Sequence, residues 1–223
     1  MKKYNLFEMK LKSINILCII IVVVLLIVTR VIHPNYNTSN INFLLLLIFI
    51  IPYFMLHEII HSIAYVLCGA DFKNITYGAH LEQGIFCCSC KQNITKTNIL
   101  VSLLAPFILI GVVTYIIGII TSNNLLIFLS IINMGGSSGD LIMFYSLSRL
   151  KNFKFSEYDN PLAFGLYTKE DLSNKKLPGL KYIGTLDNLE KTLTKKITIS
   201  KVSIIFLIII LGLLILEIVK YIL

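Results

Sequence analysis

Five runs of apolar residues, each long enough to cross a bilayer, leave this chain few folds to choose from. They lie near residues 14–32, 42–68, 99–121, 124–148 and 202–223. A membrane-crossing helix needs about 20 predominantly apolar residues. No water inside the hydrocarbon can satisfy backbone N–H and C=O groups, so such runs fold as helices. Charged residues make up only 14% of the chain, against about 25% in soluble domains. The expected fold is an all-α multi-pass membrane protein with about five transmembrane helices.

Basic residues set the expected orientation. Lys2, Lys3, Lys10 and Lys12 precede the first run, and Lys73, Lys91 and Lys96 lie between the second and third. Arg149 and ten lysines from Lys151 to Lys201 lie between the fourth and fifth, whereas only Arg30 and Lys220 fall on the other side. The positive-inside rule then puts the N-terminus in and the C-terminus out. The net charge of +8 is thereby explained by topology, and no nucleic-acid motif accompanies it. The first apolar run is longer than a signal-peptide core and lacks a small-residue cleavage site, so it is read as a retained span. An integral protein of a bacterial cell membrane is expected, with the lipid bilayer as its surroundings.

Between the second and third spans, "KNITYGAHLEQGIFCCSC" holds two short strand-forming runs around "LEQG". It reads as a small cytoplasmic β-hairpin within the loop 71–98. Residues 1–148 are expected to form the membrane core, 149–201 a polar cytoplasmic segment, and 202–223 a C-terminal transmembrane helix. The odd cysteine count and the cytosolic placement of Cys87, Cys88 and Cys90 argue against a disulfide framework. The missing C-x-x-C pairs argue against a second metal there.

The second span carries "HEIIH" at residues 57–61. Residues four apart share one helix face, so His57 and His61 can turn an imidazole nitrogen toward one metal ion. Glu58 stands beside that face. This is the H-E-x-x-H arrangement of zinc hydrolases, with the glutamate as general base. A structural polar cluster is the plainer reading. Ionisable groups inside a membrane are costly, however, which favours a functional one.

A catalytic zinc usually has three protein ligands. The candidates for the third are Asp71, His80, Glu82, Asp140 and Glu217. The second and fourth spans both run outward to inward, and His61 and Asp140 each lie about nine residues above the inner end. At 1.5 Å per residue both sit roughly 13 Å deep. Asp140 closes "NMGGSSGD", residues 133–140, where small residues let helices approach closely. Asn133, Ser137 and Ser138 are candidates for binding a substrate backbone or orienting Asp140. Pro106, in "LLAPF", is read either as a kink opening space beside the metal or as a tolerated membrane proline.

"HEIIH", "SLLAPF", "NMGGSSGD" and "DNPLAFGLYTKED", in that order over roughly residues 50–172, resemble the DUF3267 family of zincin-type peptidases, near the site-2 protease type. The resemblance implies a zinc site of His57, His61 and Asp140, Glu58 as base, and peptide-bond hydrolysis of a membrane protein or membrane-associated peptide. One departure stands out. Site-2 proteases usually have an Asp-Gly pair at the third ligand within an Asn- and Pro-containing motif, whereas Leu141 follows Asp140 here. The alternative function is a non-proteolytic metal-binding membrane component, accessory or immunity-type. Glu58 discriminates, since only hydrolysis needs a base.

Overall fold

The computed structural model describes residues 3–38, 41–80, 85–157 and 162–185. Strand β1 (Lys3–Met9) leads into helix α1 (Leu11–Ile32), and α2 spans Phe43–Leu67. The hairpin strands β2 (Ile75–His80) and β3 (Ile85–Cys90) follow, then the short β4 (Ile94–Thr95). Helix α3 (Lys96–Pro106), a π-helical stretch (Phe107–Val112) and α4 (Val113–Ile120) form one apolar rod. Helices α5 (Asn124–Gly136) and α6 (Ser138–Ser148) form another, bent by 45°. Strands β5 (Lys154–Glu157), β6 (Ala163–Thr168) and β7 (Leu180–Thr185) complete the described chain.

Three rods are long and apolar enough to cross a membrane, and a fourth if the bent pair counts as one span. The protein is thus a multi-pass, membrane-associated helical fold with added β-strands. The expected fifth span, 202–223, and the "LEQG" turn at 81–84 lie outside the described residues.

Helix ends follow local chemistry. The Asn42 side chain accepts from the N–H groups of Leu44 and Leu45 at the start of α2, supplying partners that the first turn lacks. Gly69 ends α2 with φ +90°, a left-handed conformation that favours glycine. The Ala70 N–H then bonds back to the Tyr65 carbonyl at 3.0 Å. Asn98, in the first turn of α3, donates to the Cys68 carbonyl at 2.7 Å, which ties the two helices together at this end.

The hairpin pairs antiparallel from Ile75↔Cys90 to His80↔Ile85. A second sheet extends the expected fold. It has five antiparallel strands in the order β4-β5-β6-β1-β7. Its strands come from three separate places: the N-terminal flank, the stretch before α3, and the segment after α6. β1, expected only as a basic flank of the first span, lies between β6 and β7. Its Asn5, Leu6 and Phe7 are all buried, as befits a strand covered on both faces. Close packing also requires glycine at 165, where a Cβ would stand 2.0 Å from the Tyr4 ring.

β1 precedes α1 directly, β4 precedes α3, and α6 runs on toward β5, so the sheet must sit at one end of the helices. A single apolar core joins them, with Phe7, Phe155 and Phe164 of the sheet packed among Ile99, Leu103 and Met143 of the helices. Polar ties reinforce the junction. Lys96 donates to the Ser148 carbonyl at 2.9 Å and to that of Leu150, and Ser146 Oγ donates to the Pro178 carbonyl at 2.6 Å.

Candidate metal centre

His57 and His61 stand one turn apart on α2 and are buried. Each ring is fixed from behind. His61 Nδ1 lies 2.9 Å from the Ser102 carbonyl oxygen. A carbonyl only accepts, so Nδ1 carries the hydrogen and Nε2 faces forward. His57 Nδ1 lies 2.9 Å from Asn133 Oδ1, and the Asn133 amide in turn donates to the Pro106 carbonyl at 3.4 Å.

The sequence explains why the Ser102 carbonyl can serve. In an α-helix its partner would be the N–H of residue 106, but residue 106 is proline and has none. The freed carbonyl turns to the imidazole instead. Neither reading of Pro106 as a kink or a tolerated proline anticipated this. The missing N–H four residues after Ser102 was the one signal in the sequence that could have.

Asp140 arrives from the other rod. The helix breaks at Ser137, whose hydroxyl bonds the Asn133 carbonyl at 2.9 Å. Gly135 lets α1 approach, since a Cβ there would stand 2.6 Å from Val22. The bend carries the first turn of α6 to the histidines. Asp140 Oδ2 lies 3.3 Å from His57 Nε2 and 3.6 Å from His61 Nε2. The two Nε2 atoms are 3.2 Å apart. Two imidazole nitrogens and a carboxylate oxygen therefore converge on one point. Among the described residues, this is the group of His, Cys, Asp and Glu whose geometry could hold a metal ion.

Glu58 lines the same cavity, and its carboxylate accepts from the backbone N–H of Cys88 on β3. Ser62, one turn along, lies 3.1 Å from the Cys88 sulfur and 2.5 Å from the Tyr77 hydroxyl. The hairpin thus packs against the H-E-x-x-H helix. The cavity measures about 190 Å³ and is lined by His57, Glu58, His61 and Asp140, by Cys87, Cys88 and Ser89 of the hairpin, and by Met9, Phe155 and Phe164 of the five-stranded sheet.

The remaining candidates are placed as follows. Asn133 touches the His57 ring. Ser137 bonds the backbone of its own helix, and Ser138 is buried with no hydrogen-bond partner among the described residues. Asp71 is exposed beside Lys73, at 3.8 Å. The His80 side chain, Glu82 and Glu217 lie outside the described residues. The five cysteines form no disulfide among the described residues.

An H-E-x-x-H helix within an apolar rod, joined by a carboxylate from a second rod, defines a metallopeptidase of the membrane-embedded type. Residues 49–153 match the model of the DUF3267 family, described as "Putative zincin peptidase". No curated protein and no solved structure gives a significant match.

Proposed function

We propose that the protein is a zinc metalloprotease that hydrolyses peptide bonds of membrane-associated substrates near the cytoplasmic face. His57, His61 and Asp140 hold the zinc, and Glu58 is the general base. The observation that carries this reading is the convergence of the three donor atoms. Zinc bonds of about 2.0–2.1 Å in a tetrahedron put ligand atoms about 3.3–3.4 Å apart, and the three separations here are 3.2, 3.3 and 3.6 Å. The donor set fits the ion.

When bound, zinc acidifies water and polarises a carbonyl. The chain does the rest. Asn133 and the Ser102 carbonyl hold both imidazoles in the tautomer that presents Nε2. Glu58 takes a proton from water and passes it to the leaving amine. The Cys88 N–H steadies that carboxylate from the hairpin. An unwound substrate can pair with the hairpin by strand addition. Lysine placement supports an N-in orientation, which puts the sheet, hairpin and cavity on the cytoplasmic side.

Metal analysis of purified wild type, His57→Ala, Asp140→Ala and Glu58→Gln tests the site. The expected result is stoichiometric zinc in wild type and Glu58→Gln and none in the other two. Glu58→Gln should also abolish release of fragments from a library of membrane-protein segments, read by mass spectrometry. Zinc binding with no Glu58-dependent cleavage would favour the non-proteolytic alternative.

A further inference from the structure

We infer that the cavity beside the metal ligands selects a substrate with one aliphatic side chain at the scissile bond, and that the five-stranded sheet sets the permitted size. This rests on the metallopeptidase reading above and names its substrate class. The cavity lining mixes two chemistries. His57, Glu58, His61 and Asp140 supply the ionisable groups. Apolar side chains surround them: Leu103 and Met143 from the helices, and Met9 of β1, Phe155 of β5 and Phe164 of β6 from the sheet.

Among the described residues lining it, Glu58 and Asp140 are the only Asp, Glu, Lys or Arg. A charged substrate side chain pushed against the sheet would lose its hydration with nothing to replace it. An apolar one would gain by leaving water. Size follows from volume. An apolar cavity of about 150 Å³ accepts a benzene molecule. The roughly 190 Å³ here must also hold the scissile carbonyl, and a side chain of valine or leucine size fills what remains.

The N-terminal strand is part of this lining. The Met9 N–H bonds the Leu162 carbonyl at 2.8 Å, which pins the end of β1 to the edge of the cavity. The Met9 sulfur stands 4.0 Å from where a Cβ on Gly139 would be, one residue from Asp140. A segment that reads in sequence as a basic flank thus forms one side of the selectivity pocket. The Met9 side chain packs against the same core as Phe7, Phe155 and Phe164, so its length bears directly on the space.

The test uses the full-length, zinc-loaded protein in detergent and calorimetric binding of N-acetyl amino-acid hydroxamates, which chelate the metal and present one side chain. The leucine compound should bind roughly 10- to 100-fold tighter than the glycine compound. The aspartate and tryptophan compounds should bind no tighter than glycine. Met9→Ala, at a half-buried position, should raise affinity for tryptophan. Met9→Phe should erase the leucine preference while the glycine compound still binds. If the glycine compound fails to bind wild type, the metallopeptidase reading falls and this inference with it. If it binds but leucine gains nothing, or if neither variant moves the preference, this inference alone is overturned.

Discussion

Two polar clusters between the helices, among the described residues, are built on opposite principles. One joins Tyr53, Thr114 and Ser130. The Tyr53 hydroxyl lies 2.6 Å from Thr114 Oγ1, which lies 2.7 Å from Ser130 Oγ. Each hydroxyl has one hydrogen, so two of the three join the hydroxyls and the third goes to a backbone carbonyl, that of Ile110 beside Tyr53 and Thr114 or of Leu126 beside Ser130. The network closes on itself. The other cluster, His57, His61 and Asp140, spends its hydrogens on acceptors behind the rings, Asn133 and Ser102. What faces inward is a set of acceptor atoms. The first pattern glues helices together. The second repels itself unless a cation sits at its centre, and burial sharpens that repulsion because charges interact more strongly where water is excluded.

The comparison can be broken by removing members of each cluster in turn. Asp140→Asn keeps the shape but removes the charge, and zinc affinity measured by chelator competition should fall by at least ~100-fold. Asn133→Leu removes the partner behind His57, and affinity should fall ~10- to 100-fold with the three ligands intact. Pro106→Ala sharpens the contrast further. It restores an N–H that competes for the Ser102 carbonyl, so zinc affinity should fall ~10-fold while the unfolding temperature rises, alanine being the better helix former. Tyr53→Phe, in the closed network, should cost only about 0.6–1 kcal/mol of stability and leave bound zinc unchanged. A loss of zinc in Tyr53→Phe would mean the two clusters are one unit.

Particular residues show where sequence reading reaches and where it stops. "HEIIH" carries its geometry in its spacing, because one helical turn fixes two side chains on a face. The hairpin was visible for a similar reason: its strands are neighbours in the chain, and residues 75–80 and 85–90 pair as an antiparallel ladder. The fourth span was expected as a single helix over 124–148. It breaks at Ser137, and the small residues around it permit the bend without announcing its direction. The strands β1, β4, β5, β6 and β7 were not legible. β4 and β5 have only two and four residues, and β1 is buried on both faces, so no alternating pattern marks it. Its partners lie more than 150 residues away in sequence. The Ser102 and Pro106 carbonyls were equally hidden, since a backbone acceptor has no residue-type signature.

What the sequence by itself determined is the set of apolar spans and the helical face shared by His57 and His61. Both follow from interactions among residues at most one turn apart and from the rule that buried backbone must bond to itself. The tertiary structure decided which carboxylate meets the rings, which acceptors orient them, and that a sheet of distant strands walls the cavity. Those outcomes depend on pairings between segments that the chain brings together only on folding, where one bend, one missing N–H and one close approach select among many arrangements.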